Sequence, residues 1–352
     1  MFQVGQELRE RGHAISYGGR ENSIFLEKCT KAAFPVLPLK TIGNLPLRTI
    51  RKLQYYFHEQ KIDVVVAEYN RDIRLAGIAA RWKGGSLLVA RTGLPSLKNN
   101  LGSHVIFPHI LDGIIVPTRA IQEKYTRLKW LNPSLIRVIP NGLTPAPLPE
   151  TSIEEMKKRF DLPLNRQVIG IFSKLKKEKQ HLIFLEVAAN ILKDFEDCLF
   201  LIVGDGPERD KIKKYAFDLG ILDHVYMPGF QDEVLPLYTL CDIILLTSQE
   251  EGMPSSVMEA MLMGRVVVAF DVGGVSDLII SERNGILVPP NDIYMMSQQV
   301  KQLLMDVETR QLLGAQARED MIRDYGLKKM IDEIENYLKE QLSKKRGEFH
   351  GA

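Results

Sequence analysis

Short apolar runs alternate with amphipathic stretches along the whole chain. In the second half the runs are Val168–Phe172, Leu199–Gly204, Val225–Phe230, Asp242–Thr247, Val266–Phe270 and Gly285–Val288. Segments such as "IILL" and "VVVA" are apolar without alternation, the pattern of strands buried on both faces. Helical spacing fills the intervals, as in His181–Leu192 and Val257–Met263. This order predicts a parallel sheet covered by helices on both sides. The first half repeats the rhythm, with runs at Ala14–Tyr17, Val36–Leu39, Asp63–Ala67, Leu87–Ala90, Gly113–Pro117 and Ile136–Ile139. Its opening differs. Phe2–Arg11 reads as a helix ending at Gly12, whereas a doubly wound domain begins on a central strand and a Gly-rich turn. Both are expected to be missing.

The expected break between the halves is "NGLTPAPLPE", Asn141 to Glu150, because Pro145, Pro147 and Pro149 continue neither a helix nor a central strand. A length of 352 residues also favours two cores over one. We therefore expect domains at 1–145 and 146–325, followed by an amphipathic helix within 326–352. Met330, Ile331, Ile334, Tyr337, Leu338 and Leu342 form the apolar stripe of that helix, over Leu327–Lys345.

Composition adds little until it is divided. Hydrophobic residues at 45% and charged residues at 26% describe an ordinary globular protein. No apolar run reaches the ~20 residues of a membrane span, and Met1–Arg11 lacks the apolar segment of a signal peptide. Cys29, Cys198 and Cys241 follow neither a disulfide nor a metal spacing, and Cys198 and Cys241, which begin apolar runs, read as small buried hydrophobes. The expected location is the cytoplasm. The net charge of +2 hides an asymmetry: residues 1–150 hold 21 Lys+Arg against 11 Asp+Glu, and the remainder 25 against 33. A basic half suits an anionic partner, such as the inner face of a cell membrane or a phosphorylated acceptor; a merely solvated face accounts for it equally. Nothing points to nucleic acid.

The chemistry gathers in "SQEEGMPSSVMEAMLMGRVVVAFDVGG", Ser248–Gly274, just past the apolar run at Asp242–Thr247. Gly252 and Pro254 stop that strand. A helix then starts near Ser255 or Ser256, both good N-cap types. Its open N–H groups and dipole suit a phosphate. Glu259 lies about one turn further on, where its carboxylate can accept from vicinal hydroxyls such as those of a ribose. Glu251, at the strand tip, faces the same cleft. Taken alone, Glu259 is better explained as a complement to the helix dipole; the whole constellation favours the ribose. The loop "GIFSKLKKEKQ" brings Lys174 and Lys179 to another strand end, where two cations can hold a diphosphate, although Lys176 and Lys177 also fit a solvated basic loop. Gly229 and Phe230 can shape a base pocket, with core packing favoured for Phe230. In "DVGG", Asp271–Gly274, the glycines allow close approach of a sugar or simply make a tight turn.

No P-loop or G-x-G-x-x-G follows an N-terminal strand, which disfavours a kinase or a dehydrogenase. There is no Asp-x-Asp and no His/Cys cluster, so no metal ligands are assigned and no cofactor is expected.

From Ile139 to Asp292 the chain resembles the retaining GT-B glycosyltransferases of family GT4. "IPNGL", "KLKKEKQ", "LIVGDGPER", "MPGF", "SQEEGMPSSVMEAMLMG", "DVGGVSDLI" and "NGILVPPND" carry the likeness in order, and Glu251-x7-Glu259 is its most specific element. The resemblance implies two Rossmann-like doubly wound α/β domains facing across a cleft. It implies that Glu259 binds the donor ribose. Glu251 and the backbone of Gly252, Met253, Pro254 and Ser255 would hold the transferred sugar and the distal phosphate. Lys179 would bind the diphosphate. Lys174 stands where the family has arginine, keeping the charge but not the bidentate fork. The last helix would return to the N-terminal domain. Two departures stand out. Arg91, in "VARTGLP", occupies the place near which the family has an acceptor-side histidine, and the family's first strand and Gly-rich loop have no counterpart.

The expected activity is transfer of a sugar from a nucleotide diphosphate to a hydroxyl of a glycan or lipid-linked acceptor, with retained configuration and no essential metal. Cell-envelope or lipopolysaccharide synthesis is the expected setting. The alternatives are a GT-B nucleotide-sugar epimerase and a truncated, non-catalytic nucleotide-binding protein.

Overall fold

A computed structural model describes residues 1–40, 47–81, 85–94, 97, 100–149, 152–160 and 162–350. Glu150, the last residue of the expected linker, lies outside them. The chain forms two compact units, Met1–Pro140 with Lys328–Ala352, and Asn141–Leu327. Both are parallel α/β structures of Rossmann type.

In the first unit the strands are β1 (Tyr17–Arg20), β2 (Val36–Leu39), β3 (Val64–Ala67), β4 (Leu87–Arg91), β5 (Gly113–Val116) and β6 (Ile136–Val138). Their hydrogen bonds define two pieces among the described residues: β1 with β2, and β3-β4-β5-β6. The opening helix is present as Phe2–Glu10. The first strand is displaced from its expected place: Ala14–Ser16 are irregular and β1 begins at Tyr17. Its position is set by tertiary contacts rather than by apolar residues. Tyr17 pairs in register with Val36, and its ring meets Phe25 and Phe34 edge-on at 5.4 and 5.1 Å. The final helix, Leu327–His350, runs past the expected Lys345. It buries Ile331, Ile334 and Tyr337 in this unit. Tyr337 donates to the Leu135 carbonyl at 2.7 Å, and Arg11 pairs with Asp332 and Glu335 at 2.7 and 2.8 Å.

The second unit has one six-stranded sheet, in the order β12-β11-β10-β7-β8-β9. These strands are β7 (Gln167–Phe172), β8 (Cys198–Val203), β9 (Val225–Gly229), β10 (Ile243–Leu246), β11 (Val266–Phe270) and β12 (Ile286–Val288). Every residue of β8, β10 and β11 is buried, which is why these strands read as unbroken apolar runs. The three cysteines are free and buried. The chain winds outward from β7 to β9, then returns to the other side of β7 to lay down β10. The order therefore reverses between β7 and β10. Open parallel sheets bind ligands at such a point, outside the strands' carboxyl ends.

Candidate functional site

Two loops meet at this reversal. One leaves β7 and runs through Lys174 to Gln180; the other leaves β10 and runs through Glu251 to Pro254. The first is pinned by its backbone. Ser173 N–H donates to Val203 O and Leu175 N–H to Asp205 O, both at 3.0 Å, while the Leu175 side chain is wholly buried. Gln180 takes a left-handed conformation with φ +51, which turns the chain into the helix His181–Leu192. The second loop is stitched to the first. Gln249 N–H donates to Glu178 O at 2.9 Å, and the Thr247 hydroxyl to Lys179 O at 3.2 Å.

The charged side chains close the seam. Lys179 Nζ lies 2.5 Å from Glu251 Oε1, and Glu251 is only 8% exposed. Lys174 is exposed and has no recorded partner among the described residues. The sequence placed both lysines in one role; the structure gives one a partner and leaves the other in solvent. Gly273 supports Glu251 from behind. A Cβ at Gly273 would lie 1.8 Å from the Glu251 carbonyl oxygen, and its φ is +57. The neighbouring Gly274 N–H donates to that same oxygen at 3.2 Å. The glycines of "DVGG" thus admit the Glu251 backbone.

The helix after Pro254 is Ser255–Leu262. It starts where expected, but neither serine caps it. The N-cap is Pro254 and no side-chain cap is made, because both serines already lie within the helix. The Ser255, Ser256 and Val257 N–H groups have no recorded partner among the described residues, so the positive helix end stays available to an anion. Gly252, Met253 and Pro254 are buried along the approach to it, and Ser255 is exposed.

Glu259 is half-buried one turn into this helix. The buried Tyr238 donates to its Oε2 at 2.9 Å. Burial raises the pKa of the Glu259 carboxyl, and the tyrosine hydrogen bond opposes that rise. Deeper in the seam, His181 Nε2 and Ser173 Oγ are 2.9 Å apart. Burial, then the charge on Lys179, pushes the imidazole down to about 4. It is neutral at pH 7 and leaves the lysines as the cations of the seam.

At the end of β9, Gly229 has φ +85 and Phe230 is 70% exposed. Core packing, the reading favoured for Phe230 taken alone, is excluded: the left-handed glycine turns the chain outward and presents the ring, as the expected place beside a base requires. Arg91 ends β4 in the first unit, 3.3 Å from Glu68 and beside the sulfurs of Met1 and Met330. No group of three His, Cys, Asp or Glu side chains among the described residues could hold a metal ion. No described helix is long and apolar enough to cross a membrane.

Residues 152–320 match the family described as glycosyl transferases group 1, and residues 1–146 match Glycosyltransferase Family 4. Each half of the chain is therefore similar to a glycosyltransferase family domain, and the fold is of GT-B type. Over 177 residues the chain is 32% identical to the 2-deoxystreptamine glucosyltransferase of Streptomyces kanamyceticus, covering 49% of the chain and 46% of that relative. It is 25% identical over 212 residues to an Escherichia coli enzyme, UDP-Gal:alpha-D-GlcNAc-diphosphoundecaprenol alpha-1,3-galactosyltransferase, covering 59% and 54%. The chain thus spans about half the length of the curated relatives it matches. Among solved structures it resembles Anabaena HepE in complex with UDP and glucose. The TM-score there is 0.82 at 20% identity, over 96% of this chain and 94% of HepE.

Three partners at the site escaped sequence reasoning. Tyr238 lies 21 residues before Glu259, in a segment with no motif of its own. The Ser173–His181 bond spans eight residues of loop, where no periodicity applies. Gly273 was visible as a turn, but its contact with the Glu251 backbone depends on how two loops fold together.

Proposed function

We propose that this protein transfers a sugar from a nucleotide diphosphate to a hydroxyl group on a glycan or lipid-linked acceptor, with retained configuration. The observation that carries this reading is the meeting of Lys179 and Glu251 beside the open N-terminus of Ser255–Leu262, with Glu259 one turn beyond. The helix N–H groups and Lys179 suit a diphosphate, with the exposed Lys174 as the second cation. Glu259 suits the ribose, Glu251 the hydroxyls of the transferred sugar, and Gly229 with Phe230 the base. The bond from the sugar's anomeric carbon to the phosphate oxygen breaks as the bond to the acceptor oxygen forms on the same face. The acceptor proton passes to the departing phosphate. The protein's share is then positioning and charge stabilisation.

The donor class is supported by the UDP and glucose named with the Anabaena neighbour, and the acceptor class by the diphosphoundecaprenol named for the E. coli relative. Envelope glycan or lipopolysaccharide synthesis, a cytoplasmic location, and peripheral contact of the basic first half with an anionic membrane complete the proposal. Arg91 is its acceptor-side residue. The separation, among the described residues, of the β1–β2 pair from the four-stranded sheet supports the further reading that residues 1–140 lack a central strand of the family pattern.

Incubation with a panel of nucleotide sugars, reading nucleotide release, tests the activity. Glu259→Gln should weaken UDP or GDP binding by ~1–3 kcal/mol in calorimetry. Unchanged affinities in a folded variant would remove Glu259 from the site. Turnover should persist in EDTA. Loss on chelation, restored by Mg²⁺ or Mn²⁺, would reassign the charge compensation to a metal.

A further inference from the structure

One buried hydroxyl at the site has a partner that core packing does not require. Tyr238 ends the short helix Leu235–Tyr238, is fully buried, and lies almost parallel to the Phe172 ring at 3.9 Å. A phenylalanine would fill the same space. The hydroxyl instead donates to Glu259 Oε2 at 2.9 Å. Oε1 has no recorded partner among the described residues. The carboxylate is therefore gripped at one oxygen by a side chain that is itself immobilised against the end of β7. A carboxylate oxygen has two acceptor positions, so Oε1 alone can serve two adjacent hydroxyls.

We infer that Tyr238 is a positioning residue for the donor nucleotide, orienting the Glu259 carboxylate so that Oε1 accepts from the ribose hydroxyls. This rests on the reading of Glu259 as the ribose acceptor. Tyr238 does not touch the donor. The electrostatics agree with the geometry: Tyr238 is the titratable neighbour recorded for Glu259, and its hydrogen bond opposes the upward pull of burial on that carboxyl. Burial and the adjacent Glu259 raise the tyrosine's own pKa well above its usual value, so it remains a donor throughout the working range.

The test is Tyr238→Phe in the full chain, with UDP, GDP and inorganic pyrophosphate as probes. The variant should weaken binding of UDP or GDP roughly fivefold, the worth of one hydrogen bond. Pyrophosphate binding should not change, whereas a purely structural role would weaken all three. Loss of the hydroxyl should move the acid limb of nucleotide binding to higher pH, because Glu259 then holds its proton longer. In a Glu259→Gln background Tyr238→Phe should have no further effect. If Tyr238→Phe does not fold, 3-fluorotyrosine at 238 keeps ring and hydroxyl while strengthening the donor, and the acid limb should move to lower pH. Nucleotide binding that depends on Glu259 but ignores both Tyr238 substitutions overturns this inference alone. A parent chain that binds neither UDP nor GDP overturns the donor site and the inference with it.

Discussion

The two units are variations on one plan with different continuity. In the second, six strands share one hydrogen-bonded sheet, and β8, β10 and β11 are buried throughout. In the first, among the described residues, the β1–β2 pair is not bonded to the four-stranded sheet, and three of the four residues of β3 are only partly buried. A parallel sheet depends on cover from both faces, and a break in it exposes strand edges and helix flanks. The first unit compensates with helices, above all Leu327–His350, which brings Tyr337 and Ile334 to it. An uninterrupted sheet can place several loops against one another to within a fraction of an ångström. A divided one is held by side chains that tolerate adjustment.

The largest effect should come from testing that fit directly. Gly273→Ala forces a Cβ into the Glu251 carbonyl at a positive φ and should cost roughly 3–4 kcal/mol, read as a lower melting point with loss of UDP binding. In the first unit Gly12 also has a positive φ, +91, but nothing lies within 4 Å of a Cβ there. Gly12→Ala should cost only about 1 kcal/mol. Equal costs would erase the contrast.

Acid should separate the units next. The folded pKa of His181 is depressed to about 4 from 6.5. Its protonation opposes the folded state, so its contribution is complete above pH 6.5 and disappears as pH falls towards 4, about 3 kcal/mol in all. His181→Gln should flatten the acid dependence of the second unit over that interval. If it does not, burial is not what holds the imidazole neutral.

Native-state hydrogen exchange should then show β7, β8, β10 and β11 protected by about 2 kcal/mol or more beyond β1 and β2. Equal protection would mean that the division of the first unit's strands into two sheets costs it nothing. The smallest effect concerns the clamp on the last helix. Hydrogen bonds from Lys339, Arg11 and His13 depress Glu335 to about 2. Its contribution exists above about pH 4.5 and is lost as pH falls to 2. Screening at this rim site should keep it under ~1 kcal/mol. Glu335→Gln with unchanged melting at pH 7 and at pH 3 would remove the clamp from the account.

What the sequence made legible follows from the same difference. His181–Leu192, Val36–Leu39 and Val266–Phe270 stand where their patterns placed them, because burial imposes periodicity. The "YGGR" strand carries no such pattern, and its place depends on Val36 and two aromatic rings distant in sequence. Within the site, the types and spacing of Glu251, Glu259 and Lys179 were readable. The bonds that orient them were not: Tyr238 to Glu259 and Gly274 N–H to Glu251 O arise only when separate loops meet. Taken alone, Phe230 reads as core because hydrophobicity says nothing about a left-handed glycine immediately before it.

The Lys179–Glu251 pair has one more consequence. Each group is at present the other's counterion. On the proposed reading, an arriving diphosphate takes Lys179, and the same exchange releases Glu251 towards the space where a sugar would lie. A nucleotide without its sugar leaves that carboxylate uncompensated in a poorly hydrated place. The intact donor supplies hydroxyls to it. On that reading the site would discriminate between donor and spent nucleotide through partner exchange, and the departure of the sugar would itself be a force for expelling what remains.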